Sequence, residues 1–129
     1  MTRLWLFSGA VLGGLAVAAG SFGAHGLKHV LDATGRADNW ETAVRYCFYH
    51  ATALLVVGLA NALPQASSAR GLLTAAGWSF LIGTLIFSGC LAALALSGVR
   101  ILGAVVPVGG ALFLIGWALL AVAASRVAS

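Results

Sequence analysis

Apolar residues in this chain neither alternate nor keep to one helical face. They run on unbroken between widely spaced charges. The charged side chains are Arg3, Lys28, Asp32, Arg36, Asp38, Glu41, Arg45, Arg70, Arg100 and Arg126. Between them lie charge-free stretches at 4–27, 46–69, 71–99 and 101–125, each of 24 residues or more. A helix crosses a bilayer with about 20 apolar residues. The pattern therefore predicts an all-α, four-helix transmembrane bundle, with spans near 4–24, 43–63, 72–96 and 101–124. Barrel strands would alternate apolar and polar positions over about 10 residues, and these runs are apolar all round.

The connections are unequal. Segment 64–71 reads as a turn in which Pro64 ends the second span. Segment 97–100 is shorter still and makes the last two spans an antiparallel hairpin. Segment 25–42 is the long, wet connection, and 25–39 is expected to contain a short interfacial helix, with Leu27, Val30 and Leu31 on a face opposite Asp32. An even number of spans puts both termini on one side. That side carries Arg3, Arg70 and Arg126 against Lys28, Arg36, Arg45 and Arg100 on the other, so the positive-inside rule decides nothing. The first apolar run exceeds the 7–15 residues usual for a signal-peptide core and is read as a retained span.

Composition sharpens the class. Of 129 residues, 61% are hydrophobic and 8% charged, against roughly 45–50% and about 25% in soluble domains. One integral membrane domain, 1–129, is expected. There is no basic stripe for nucleic acid, and two cysteines make no disulfide framework. No carboxylate falls inside a predicted span, which removes the usual basis for small proton-coupled exporters. Nothing supplies a nucleophile turn or an oxyanion site, so an enzyme is not expected, and no cofactor is assigned.

The 17 glycines suit close helix packing in lipid. Gly9/Gly13, Ala10/Gly14, Ala16/Gly20 and Ala19/Gly23 recur at four-residue spacing in the first span, as do Ser79/Gly83 and Thr84/Ser88 in the third. These ridges serve packing within the bundle or a homo-oligomer seam. Pro107, followed by Gly109-Gly110, should bend the fourth span. Cys47 and Cys90 read as inert apolar thiols.

Candidate chemistry gathers where the first span ends and the second begins. Asp38 and Glu41 fit a capping box, and Glu41 precedes Arg45 by one turn, the favourable order for an ion pair. Trp40 reads as an interface anchor. Thr42, Tyr46, His50, Ala53, Val57 and Asn61 form one stripe, which should face the interior because polar groups in a membrane turn toward protein. The candidate polar cluster is His25, Lys28, Trp40, Glu41, Arg45, Tyr46, Tyr49 and His50. Tyr46 and His50 are expected inward, with His50 bonded to a hydroxyl or backbone carbonyl of another helix. His25, His29 and His50 also invite a metal or b-haem reading, which needs His25 and His50 at similar depth.

Two motifs, Gly20-Ser21-Phe22-Gly23-Ala24-His25-Gly26-Leu27-Lys28 and Trp40-x-Thr42-Ala43-Val44-x-Tyr46-x-x-Tyr49-His50, are distinctive together. Phe87-Ser88-Gly89-Cys90-Leu91, Pro107-Val108-Gly109-Gly110 and Gly116-Trp117 accompany them. With these the chain resembles the transmembrane-protein-256-like family, the domain of unknown function 423, along essentially its whole length. The resemblance implies a four-helix protein of the bacterial inner membrane and implies no activity. Cys47 and Cys90 stand where that pattern has other residues, which further lowers any thiol role. The expected role is a non-enzymatic accessory or assembly protein. Its partners are membrane lipid and, through glycine-rich faces, other subunits or a second copy. The alternatives are a small proton-coupled transporter using His50, or a haem- or quinone-associated anchor.

Overall fold

A computed structural model describes residues 1–127; the last two residues of the expected 1–129 domain lie outside the described residues. Helix α1 spans Thr2–Ala24, α2 Lys28–Thr34, α3 Ala37–Ala62, α4 Arg70–Ser97 and α5 Ile101–Val127, with a 3-10 segment at Pro64–Ala69 between α3 and α4. No strand occurs among the described residues. The long helices have 23, 26, 28 and 27 residues. At 1.5 Å per residue each is about 35–42 Å long, enough to cross a hydrocarbon core of about 30 Å. All four meet the length and composition of membrane spans.

Local chemistry sets the ends. Gly35 (φ 69°) closes α2 and Gly98 (φ 72°) closes α4, both in the left-handed conformation that suits glycine. Leu63 turns extended ahead of Pro64, which has no N–H to continue α3. Helix α5 runs unbroken through Pro107. The short helix expected between 25 and 39 is α2, with Leu31 buried and Val30 exposed.

The expected capping box does not form. Helix α3 starts at Ala37, so Arg36 takes the cap position and Asp38 falls within the first turn, with no side-chain cap bond. Arg36 is held from elsewhere: its Nε donates to the Ala95 carbonyl at 2.8 Å. The guanidinium so caps the carboxyl end of α4, where positive charge is favourable. This bond ties the α2–α3 junction to the α4–α5 turn and fixes where α3 begins.

The long helices pack in the order α1, α3, α4, α5, with α3 and α4 central. The 3-10 end is the dense one. There Trp5, Leu54, Val57, Ala66, Ala69, Leu73 and Phe80 form the main core. A smaller cluster of Leu31, Trp40 and Ala95 closes the opposite end.

Glycines make the approach possible. A Cβ on Gly77 would lie 2.5 Å from the Trp5 indole, one on Gly23 2.5 Å from Trp40, one on Gly116 2.6 Å from Phe80, and one on Gly83 2.9 Å from Phe113. At Gly109 the obstacle is backbone, since its Cβ would meet the Phe87 backbone nitrogen at 2.6 Å. In α1 the contact ridge is Gly9, Ala16, Gly20 and Gly23, whereas Ala10 and Gly14 lie on the exposed face. The hydroxyls of Ser79 and Thr84 are satisfied within their own helix, by the Ala75 and Phe80 carbonyls.

Filling a glycine seat should destabilise the bundle. Gly77→Leu, set against Trp5, is expected to cost about 1–3 kcal/mol from overpacking, read as a lower Tm in detergent. Gly89→Ala, whose methyl meets nothing within 4 Å, should stay within about 0.5 kcal/mol of the parent. Equal melting of the two variants would contradict the ring-on-glycine account.

Candidate functional site

His50 sits midway along α3, buried, with both ring nitrogens engaged. Trp117 of α5 points its Nε1–H at His50 Nε2, 3.1 Å away. Nδ1 lies 2.7 Å from the Tyr46 carbonyl one turn earlier. An indole nitrogen only donates, so Nε2 is the acceptor and the ring hydrogen resides on Nδ1, donated to Tyr46. The imidazole is therefore neutral in this arrangement. A second proton on Nε2 would set two N–H groups against each other and break the bond between α3 and α5. Phe113 lies flat on the imidazole at 3.5 Å between centroids and 4° between planes. The Trp117 ring meets Phe80 edge-on at 5.1 Å.

Outside this centre lies a groove of about 690 Å³ lined by Tyr46, Tyr49, Phe87, Pro107, Phe113 and Trp117, with His50 on its wall. Tyr46 is 39% and Tyr49 53% exposed. Tyr46 thus departs from the inward position expected of it: its ring leans on Phe87 at 4.7 Å and the residue stays exposed. The reason is that Phe80 and Phe113 already fill the space around His50. Lower on the stripe, Ala53, Val57 and Asn61 are buried as expected.

The remaining candidates gather at the α2 end. Lys28, Trp40, Glu41 and Arg45 line a second pocket of about 450 Å³ together with Asp32 and Gly20. Glu41 pairs with Arg45 at 3.3 Å and Lys28 with Asp32 at 3.0 Å, all exposed. Trp40 is not a lipid-facing anchor. It is buried over Gly23 and donates its Nε1–H to the Ala19 carbonyl at 2.9 Å. His25 caps α1, exposed, and does not line this pocket. Trp40 touches Gly23, and ten residues of α3 separate Trp40 from His50, a drop of about 15 Å. His25 and His50 therefore stand at different depths, and the geometry of a shared haem is not built. Among the described residues no three His, Cys, Asp or Glu side chains converge as a metal site. His50 does bond another helix, but through an indole N–H and not the hydroxyl or carbonyl expected. Cys47 is half-buried, and its thiol contacts the Leu12 carbonyl at 3.6 Å.

The family model described as "Protein of unknown function (DUF423)" matches residues 19–110, which include both of these sites up to Gly110. The chain belongs to the DUF423 family. A UPF0382 membrane protein of Staphylococcus epidermidis is 40% identical over 98% of each chain. The UPF0382 membrane protein YwdK of Bacillus subtilis is 39% identical over 96% of this chain and 98% of its own. A UPF0382 membrane protein of Haemophilus influenzae is 43% identical over 94% and 93%. No solved structure matches the chain.

For this DUF423 chain the residue that the sequence reading missed is Trp117, seen there only as half of a Gly-Trp pair. A signal existed. Ile101 and Ala37 begin helices at the same end, so Trp117 and His50 lie about 24 and 20 Å along them. Tryptophan favours the membrane interface, and one at mid-depth needs an internal acceptor.

The bond should be measurable. Trp117→Phe leaves Nε2 unpaired, and a double-mutant cycle with His50→Phe should give a coupling of about 0.6–1.7 kcal/mol, the range for interhelical bonds in lipid. Nitrogen-15 NMR should show the hydrogen on Nδ1 and a shift at Nε2 in Trp117→Phe. A hydrogen on Nε2 would contradict the assignment.

Proposed function

We propose that this membrane protein is a non-enzymatic accessory subunit of the bacterial inner membrane that binds another membrane protein along the groove between α3 and α5. The supporting observation is an unmet polar demand. The phenol hydroxyls of Tyr46 and Tyr49 make no hydrogen bond within the described residues, yet lie about 14–18 Å along α3 from Ala37, below the headgroup layer. Buried phenols take an acceptor, and polar groups at membrane depth turn toward protein. A partner helix seated against the aromatic rings would supply that acceptor. Aromatic residues are enriched where proteins meet.

His50 itself serves as a lock. A proton carrier needs an imidazole nitrogen free to exchange, and here one is bonded within α3 and the other to Trp117 of α5. Helical spans favour the inner membrane, since outer-membrane proteins are typically barrels. Four antiparallel spans support a topology with both termini on one side of it.

A photo-cross-linking residue at Leu114, in the groove and 74% exposed, is expected to capture one discrete membrane protein in cells. The same residue at Leu59, 62% exposed and outside the groove, should not. A lone, homogeneous species in mild detergent with no adduct from position 114 would overturn the proposal. An adduct only to a second copy would replace the accessory role with a homo-oligomer.

A further inference from the structure

The pocket at the α2 end has a composition that the groove proposal does not use. Its rim carries Lys28 and Asp32 from α2 on one side and Glu41 and Arg45 from α3 on the other. Two cations and two carboxylates sum to zero around about 450 Å³. Each ion pair is a single contact between exposed groups. Most donors of Lys28 and Arg45, and a carboxylate oxygen on each acid, remain available.

The pocket is not closed below. Gly20, Val44 and Arg45 are shared with an apolar groove of about 270 Å³ that descends between α1 and α3 past Val17 and Phe48. A charged cup at the headgroup level thus opens into an apolar channel running toward the bilayer centre. Gly20 leaves that opening clear, because a Cβ there would lie 3.3 Å from Val44.

From this continuity we infer that the α1–α2–α3 pocket is a specific site for a phospholipid with a phosphoethanolamine headgroup. The phosphate fits between Lys28 and Arg45, where charge-assisted bonds form. The primary ammonium donates to Asp32 and Glu41. One acyl chain follows the groove along Val17 and Phe48. The carboxylates decide the headgroup. A purely anionic lipid would leave the neutral pocket with a net negative charge, and a quaternary ammonium has no N–H to donate to the carboxylates. Trp40, the aromatic side chain at the pocket, is turned inward to Ala19 and forms no cage for a quaternary ammonium.

The test is lipid retention. The protein is reconstituted in nanodiscs holding equal parts of phosphatidylethanolamine, phosphatidylcholine and phosphatidylglycerol, then released for native mass spectrometry. Phosphatidylethanolamine should be retained roughly tenfold over each of the others, a difference typical of one or two good polar contacts. Asp32→Asn with Glu41→Gln, both at exposed positions, should abolish that preference and favour phosphatidylglycerol. Val17→Trp, filling the groove at a residue 60% exposed, should lower retention of every lipid while the melting temperature holds. Glycerophosphoethanolamine at millimolar concentration should not displace the lipid. Equal retention of the three lipids, or an unchanged preference in the Asn/Gln variant, would overturn the site. Displacement by the soluble headgroup would overturn the acyl groove.

Discussion

Hydrocarbon tails are as apolar as leucine, so burying leucine between helices gains little in a bilayer. What remains is fit. Here the fit takes one recurrent form, an aromatic ring seated on a glycine of the neighbouring helix. Trp5 rests on Gly77, Trp40 on Gly23, Phe80 on Gly116 and Phe113 on Gly83. These seats join α1 to α4, α3 to α1 and α4 to α5. Where Gly109 passes Phe87, backbone meets backbone. A ring on a flat backbone surface gains many small dispersion contacts at once, and the missing Cβ is what admits it.

The His50–Trp117 bond depends on these seats. Helices α3 and α5 are not packing neighbours along their backbones. They are connected because Phe113 is seated on Gly83 and stacks upon the imidazole, and because Phe80 sits against Gly116 beside Trp117. The rings therefore position the polar pair, and the polar pair stops the rings from sliding past one another. In lipid this reciprocity has force, because a histidine released from Trp117 has no water to replace the lost donor. Arg36 does the corresponding work at the membrane surface, where its bond to Ala95 links the two connections at that end.

Much of the fold was legible from charge spacing alone, since hydropathy reports directly on the solvent of each segment. The four spans and the antiparallel hairpin needed no more than that, and the short helix after the first needed only the shared face of Leu27, Val30 and Leu31 as well. Tertiary detail was not. The capping box at Asp38 and Glu41 was a sound local pattern, overridden by Arg36 reaching Ala95, 59 positions away. Tyr46 shared the helical stripe of His50, but a stripe is a broad arc, and Phe80 and Phe113 took its centre. Trp40 obeyed its preference for interfacial depth but turned inward, because Gly23 offered it a seat and the Ala19 carbonyl an acceptor. The partner of His50 lay 67 positions away. Of the eight candidate residues, Lys28, Trp40, Glu41 and Arg45 meet around one pocket and Tyr46, Tyr49 and His50 around the other. His25 joins neither.

The two ends of the molecule are packed differently. At the 3-10 end, Trp5, Ala66, Ala69 and Leu73 are almost fully buried and belong to one continuous core. At the other end the buried cluster is small, α2 is a seven-residue helix, and its charged side chains are exposed. Opening the α2 end exposes little apolar surface, so it should cost far less than separating the helices at the core. The aromatic groove lies between these extremes, anchored on one wall by rigid ring seats. A partner docked there meets a surface that is already ordered, which lowers the entropy cost of association. Neither the groove nor the charged pocket depends on the bundle opening, because both face outward from helices that the glycine seats hold in place.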